Sequence, residues 1–181
     1  MNVLAISGSL RLGASNTSLL EAAARVAPDG VVVNRYPSIA VLPHFNPDED
    51  TFDQSTLLPV VAEFRRLIGE ADALLLSTPE YAHGLPGSFK NALDWLVGST
   101  EFPGKPVAMV SPSARSTYAQ AQLREILKTM SARIVEPASI VVPLPRREMT
   151  ADEIAADESL AAALRSALAE LDAVVRQEAR A

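Results

Sequence analysis

The segment Gly8-Ser9-Leu10-Arg11-Leu12-Gly13-Ala14-Ser15-Asn16-Thr17 gathers hydroxyls at Ser9, Ser15 and Thr17, an amide at Asn16 and a permanent positive charge at Arg11. It follows a short apolar run and leads into a helical pattern. Its backbone amides therefore collect at a helix start, where unpaired N–H groups and the positive end of the dipole favour an anion. Two nucleotide-binding loops are excluded residue by residue. A Walker loop needs Lys-Ser/Thr after its second glycine, whereas Ala14-Ser15 follows Gly13; the dinucleotide fingerprint needs Gly-x-Gly, and Ser9-Leu10 breaks it. The set suits a terminal phosphomonoester. Hydrogen bonds to a charged group contribute about 1.5–3 kcal/mol each, so a handful of them and a helix end can offset the desolvation of a dianion. The plainer alternative is that Ser15 or Asn16 caps the helix and Arg11 stays in water.

Other chemistries find less support. The chain has no cysteine, which removes disulfides, thiolate metal sites and a cysteine nucleophile. His44 and His83 are the only histidines and lack the paired spacing of a metal site, so no metal is expected. Glu80 and Asp94 could act as acid and base, but a surface charge or an ion pair with Lys90 is the better reading of Asp94. His83 either faces a substrate or is an exposed loop histidine.

The elements that must position these residues follow from periodicity. Val3-Leu4-Ala5-Ile6 reads as a buried first strand, and Leu19, Leu20, Ala23 and Val26 recur at helical spacing until Pro28-Asp29-Gly30. Val31-Val32-Val33 predicts a second strand. The proline-bearing stretch 36–55 reads as a long loop with a little local structure. Val60, Val61, Phe64, Leu67 and Ile68 share a helical face, and Ala73-Leu74-Leu75-Leu76 is the apolar run of a central parallel strand. A Pro/Gly-rich loop, Thr78 to Gly87, opens onto a helix through Phe89, Ala92, Leu93, Leu96 and Val97. Val107-Ala108-Met109-Val110 is the fourth strand, followed by a Ser/Pro loop over 111–117 and a helix through Leu123, Ile126, Leu127 and Met130. Ile140-Val141-Val142 is the fifth strand. From about Thr150, Leu160, Leu164, Leu168, Leu171 and Val175 form the stripe of a long amphipathic helix, which could pack on the sheet or on another subunit.

Strands alternating with helices imply an α/β chain with a parallel sheet covered on both faces. Ligands of such sheets sit beyond the carboxyl ends of the strands, where strand order reverses. The loops 7–16, 77–87 and 111–117 lie there. At 181 residues, 48% hydrophobic and 21% charged, residues 1–181 are expected to form a single globular domain. Sixteen Lys+Arg against twenty-two Asp+Glu give a net charge of −6, which lacks the broad positive field of a nucleic-acid binder, so any phosphate must be held locally. No basic n-region or long apolar stretch opens the chain, so no membrane attachment is expected and a cytoplasmic location is the default.

Gly8-Ser9-Leu10-Arg11, together with Pro79-Glu80-Tyr81 and Pro86-Gly87-Ser88-Phe89-Lys90-Asn91-Ala92-Leu93-Asp94-Trp95, resembles the NAD(P)H-dependent FMN reductase family, the flavodoxin-like quinone, azo-dye and chromate reductases. The resemblance covers the chain from Met1 to about Met130. It implies a flavodoxin-like three-layer fold with a five-stranded parallel sheet in the order 2-1-3-4-5. It also implies non-covalent FMN, its phosphate in the first loop and its ring against Pro79-Glu80-Tyr81. The implied cofactor-binding set is Ser9, Arg11, Ser15, Asn16, Thr17, Pro79, Glu80, Tyr81, Ala82, Gly84, Ser111 and Ser113. The second loop is physically apt: prolines stiffen it, glycines let the backbone approach a flat ring, and Tyr81 supplies aromatic surface. The lesser alternative for Tyr81 is a packed loop anchor, and Trp95 reads as core or interface.

The chain departs from the family at three places. Many relatives carry Ser at position 14 and Asn at position 82, where this chain has Ala14 and Ala82; one phosphate hydroxyl would shift to Ser15, and a polar contact to the flavin would be lost. The third loop, Ser111-Pro112-Ser113-Ala114-Arg115-Ser116-Thr117, is bulkier than the usual glycine-rich one and could bring Arg115 near the flavin's anionic edge. The resemblance implies a two-step cycle in which NADPH or NADH reduces bound FMN and a quinone or other small acceptor then takes two electrons. The cofactor carries the electronic chemistry and the protein supplies orientation, so no separate catalytic residue is expected. A homodimer or homotetramer is implied as well. The alternatives are an FMN-binding electron carrier or sensor without efficient NAD(P)H turnover, and a chain that has kept the fold and lost the cofactor.

Overall fold

Along the central strands, successive side chains point to opposite faces, and the sequence fills both with apolar residues. The computed structural model describes residues 1–51 and 56–178. Four strands, β1 (Asn2–Ser7), β2 (Val32–Arg35), β3 (Ala73–Ser77) and β4 (Pro106–Ser111), are joined by two short ones, β5 (Arg133–Ile134) and β6 (Ile140–Val141). All pairings are parallel, in the order β2-β1-β3-β4-β5, with β6 also on β4. The register sets Val3 beside Ala73 and Leu74 beside Val107.

The expected strand order holds, but the fifth strand is divided. Arg133 and Ile134 pair with Pro106 and Val107, while Ile140 and Val141 pair with Val110 and Ser111, further along the same edge. A 3-10 turn over Glu136–Ala138 separates them. Pro137 has no N–H to give to a ladder, which is why the chain leaves the edge there. The second strand also starts one residue later than Val31 and runs on to Arg35.

The helices are α1 (Ser15–Arg25), α2 (Pro59–Glu70), α3 (Gly87–Asp94), α4 (Thr117–Thr129), α5 (Ala151–Ala156) and α6 (Glu158–Glu178). Leu4, Ile6, Leu74, Leu76, Val107 and Met109 pack with Phe64, Ile68, Phe89, Trp95, Leu123 and Leu127 of α2 to α4 and the segment after α3. Val3, Ala5, Leu75, Ala108 and Val110 pack with α1, α5 and α6. Each buried Leu, Ile, Val or Phe contributes about 1.5–3 kcal/mol. The terminal leucine stripe thus belongs to the core: Leu160, Leu164, Leu168 and Leu171 are buried on the sheet. It does not run as one helix from Thr150, because the chain breaks at Asp157, whose carboxylate accepts from the amides of Ser159 (3.0 Å) and Leu160 (3.1 Å).

The long loop after β2 carries 3-10 turns at Ile39–Val41 and Pro47–Glu49; its residues 52–55 lie outside the described residues. Trp95 is fully buried and donates its indole N–H to the Pro43 carbonyl at 2.8 Å, anchoring this loop. The buried Arg65 guanidinium adds a second anchor, bridging Asp50 (2.6 Å) and the Trp95 carbonyl. No helix among the described residues is long and apolar enough to cross a membrane.

Candidate cofactor site

At the carboxyl ends of β1, β3, β4 and β6 the connecting loops enclose a cleft of about 570 Å³. The first loop is pinned where β1 ends: the Gly8 amide donates to the Ser77 carbonyl at 2.8 Å. A Cβ on Gly8 would lie 2.5 Å from Thr78 Oγ1 and 2.9 Å from the Phe89 ring, so only glycine allows the first loop to lie this close to the second. Beyond it the chain turns through Gly13, at φ +66°, into α1.

The start of α1 differs from both expected caps. Ala14 is the N-cap and no side chain accepts a helix amide; the first amide to bond back is that of Ser18, to the Ala14 carbonyl at 2.9 Å. The amides of the first turn are therefore left for an anion. Asn16 is buried and lines the cleft. Its Oδ1 accepts from Ser77 Oγ at 2.9 Å, which leaves the Nδ2 hydrogens as the donors it can offer.

Two expected hydroxyls are engaged elsewhere. Ser15 lines the cleft but donates to the Arg147 carbonyl, while Thr17 shares a 2.8 Å hydrogen bond with Ser7 Oγ and is not part of the lining. Ser9 and Arg11 do line it, with the Arg11 amide on Ser9 Oγ at 3.3 Å. An exposed contact of 4.0 Å to Glu148 leaves the Arg11 guanidinium essentially free.

The second loop contributes Pro79, Glu80 and Tyr81 to the lining, while Ala82 and Gly84 fall outside it. Tyr81 and Gly84 exchange two amide–carbonyl bonds of 3.0 Å around Ala82 (φ +48°) and His83 (φ +59°). Two successive left-handed residues make a tight reversal of the type that Asn and Gly favour. The loop is also clamped to α4. Glu80 accepts from the Ala119 amide (2.9 Å), the Leu85 amide donates to Gln122 (2.7 Å), and the His83 ring stacks on Tyr118 with centroids 4.2 Å apart. His83 is thereby placed against α4, outside the lining. Asp94 pairs with Lys90, as expected.

In the third loop Ser111 is buried and turned inward, donating to the Ser113 carbonyl at 2.9 Å. It shapes the turn, and Pro112, Ser113, Arg115 and Ser116 line the cleft instead. A fourth loop, which sequence reasoning passed over, closes the far wall with Leu144, Pro145, Arg146 and Arg147. It is stitched to the third loop by the amides of Val142, on the Ser111 carbonyl (2.8 Å), and Leu144, on the Pro112 carbonyl (3.1 Å). The signal lies in the chain: Pro145-Arg146-Arg147 comes a few residues after β6, at the end of the sheet where ligands bind.

An uncapped helix start, the free Nδ2 hydrogens of the buried Asn16, the Ser9 hydroxyl and the Arg11 charge are donors of the kind a phosphomonoester needs. An extended cleft with Pro79 and Tyr81 along its wall leaves room for a flat group beyond it. FMN fits both parts.

The comparisons agree. The family described as NADPH-dependent FMN reductase matches residues 1–146. An NAD(P)H-dependent FMN reductase of Pseudomonas aeruginosa is 35% identical over 147 residues, covering 78% of this chain and 77% of that protein. A quinone reductase of Escherichia coli is 34% identical over 143 residues, covering 75% and 73%. Among solved structures, the flavoenzyme NAD(P)H:(acceptor) oxidoreductase FerB from Paracoccus denitrificans superposes with a TM-score of 0.69 at 24% identity, covering 95% of this chain and 97% of its own. A flavodoxin from the domain Archaea gives a TM-score of 0.60 at 15% identity, covering 96% and 99%, so the fold is flavodoxin-like. By motif, strand order and cleft, the chain belongs to the NADPH-dependent FMN reductase family.

Proposed function

We propose that the cleft is the FMN site of an NAD(P)H-dependent oxidoreductase whose acceptor is a quinone or another small oxidant. One observation carries this: α1 starts without a side-chain cap, inside a cleft where Arg11 and Asn16 supply the donors a phosphate needs. When bound, FMN accepts two electrons from a reduced nicotinamide and releases them to the acceptor.

The chain's own residues bind and orient. Ser9, Arg11, Asn16 and the first amides of α1 hold the phosphate. Ser15 contributes its amide, since its hydroxyl proton is given to Arg147. Pro79, Glu80 and Tyr81 offer main chain and an aromatic face to the ring, with Ala82 and Gly84 shaping the turn that holds them. Ser113 lies along the cleft, while Ser111 and Thr17 act from behind by fixing the loops. We read residues 1–181 as one FMN-binding unit working in the cytoplasm as a homodimer or homotetramer. The quinone reductases among its relatives support a quinone acceptor.

The test is optical. Protein purified with FMN should be yellow, and its flavin band should bleach anaerobically on addition of NADPH or NADH and recover with a quinone. Yellow protein that neither nucleotide bleaches points to an electron carrier. Protein that binds no FMN overturns the reading.

A further inference from the structure

The cleft is positively charged although the chain is not. Against a net charge of −6, its lining holds Arg11, Arg115, Arg146 and Arg147 and a single acid, Glu80, whose carboxylate is committed to the Ala119 amide. A phosphomonoester brings a charge of about −2, which Arg11 and the helix start already answer. The remaining arginines lie on the stitched third and fourth loops. Arg146 is held by Glu153, itself fixed by a reciprocal cap with Thr150. Among the described residues, the guanidinium groups of Arg115 and Arg147 have no carboxylate partner. Two unpaired cations on one wall, in an acidic protein, are the arrangement expected of a second anion subsite.

Resting on the reading of the cleft as an FMN site, we infer that Arg115 and Arg147 receive the 2′-phosphate of NADPH, making this wall the element that separates NADPH from NADH. The two nucleotides differ only in that phosphate, and a reduced nicotinamide must enter this same cleft to reach the flavin. A guanidinium fork matches a phosphate in shape as well as charge. Arg115 and Arg147 reach the cleft from different loops, the third and the fourth, so the proposed subsite is built between them.

The experiment uses the FMN-loaded protein with one quinone acceptor and compares wild type with Arg115→Ala, Arg147→Ala and the double variant. Each is assayed for bound FMN, for kcat and KM with NADPH and with NADH, and for inhibition by adenosine 2′,5′-bisphosphate and by 5′-AMP. In the double variant, kcat/KM for NADPH should fall at least tenfold through KM, with NADH and FMN content unchanged. Adenosine 2′,5′-bisphosphate should lose its advantage over 5′-AMP, and Arg147→Lys should keep part of the preference. Equal losses with both nucleotides, or none, overturn the inference while leaving the FMN reading intact. Loss of FMN with an unchanged nucleotide preference assigns the pair to the flavin phosphate and overturns it too. A wild-type chain that never holds FMN fails the underlying reading, and this inference with it.

Discussion

The Glu80 carboxylate accepts the Ala119 amide at 2.9 Å, so the acid of the Pro79-Glu80-Tyr81 run serves as an external cap for α4. Glu80 lines the cleft between Pro79 and Tyr81 while its carboxylate is committed to α4. Replacing Glu80 by Ala should cost about 0.5–2 kcal/mol, the usual loss on removing a helix cap. It should also raise KM for the acceptor more than it lowers kcat, because the loop shifts while the flavin stays. Urea denaturation and steady-state kinetics check the two parts.

Ser9→Ala and Arg11→Ala each remove a donor from the proposed phosphate site. At about 1.5–3 kcal/mol per charged hydrogen bond, FMN affinity should drop tenfold or more in each. Fluorescence titration of the flavin measures it, and unchanged affinity in both variants would remove the phosphate from this loop.

Ala82 holds a left-handed conformation that costs an L-residue with a Cβ roughly 1–2 kcal/mol. Ala82→Gly or Ala82→Asn should relieve about 1 kcal/mol of this and raise the melting temperature. A lower melting temperature for both would show that the turn is not strained.

Arg65 and Asp50 have side chains only 5% and 14% exposed, and Arg65 also donates to the Trp95 carbonyl. Removing one partner of such a pair leaves the other buried and uncompensated. Arg65→Ala should therefore cost about 3–5 kcal/mol. Chemical denaturation of the variant should show the loss as a lower midpoint at constant slope.

Glu153 accepts the Thr150 amide and the Arg146 guanidinium, and these hold its carboxyl below the ordinary 4.5, the amide contributing most. A depressed folded-state value means that its stabilising contribution is complete above about 4.5 and is lost as the pH falls from there through the lower folded value. Glu153→Gln should flatten the stability profile in that acid window and leave it unchanged near neutrality apart from a constant offset. Thermal melts across pH 3–6, a range chosen to bracket the ordinary value, test this.

Much of the fold was legible in the chain. Ala73-Leu74-Leu75-Leu76 can only be a strand buried on both faces, and Pro28-Asp29-Gly30 can only stop a helix, because burial and backbone freedom are local properties. The interruption at Pro137 was legible in principle, yet the two halves it separates are too short to carry a period.

The sequence by itself determined the alternation of strands and helices, the loops at the carboxyl edge, the family, and the residue types a phosphate needs, since these depend on composition and near-neighbour spacing. Only the tertiary structure decided how each hydroxyl is used. Ser15 meets the Arg147 carbonyl 132 positions away, and the Asn16 side-chain carbonyl oxygen meets Ser77 across 61, so which polar atoms of the first loop stay free to face the cleft is set by packing between distant segments. The same packing brings the fourth loop and its arginines into the cleft, where proximity on the sheet edge, rather than position in the chain, sets the charge a ligand meets.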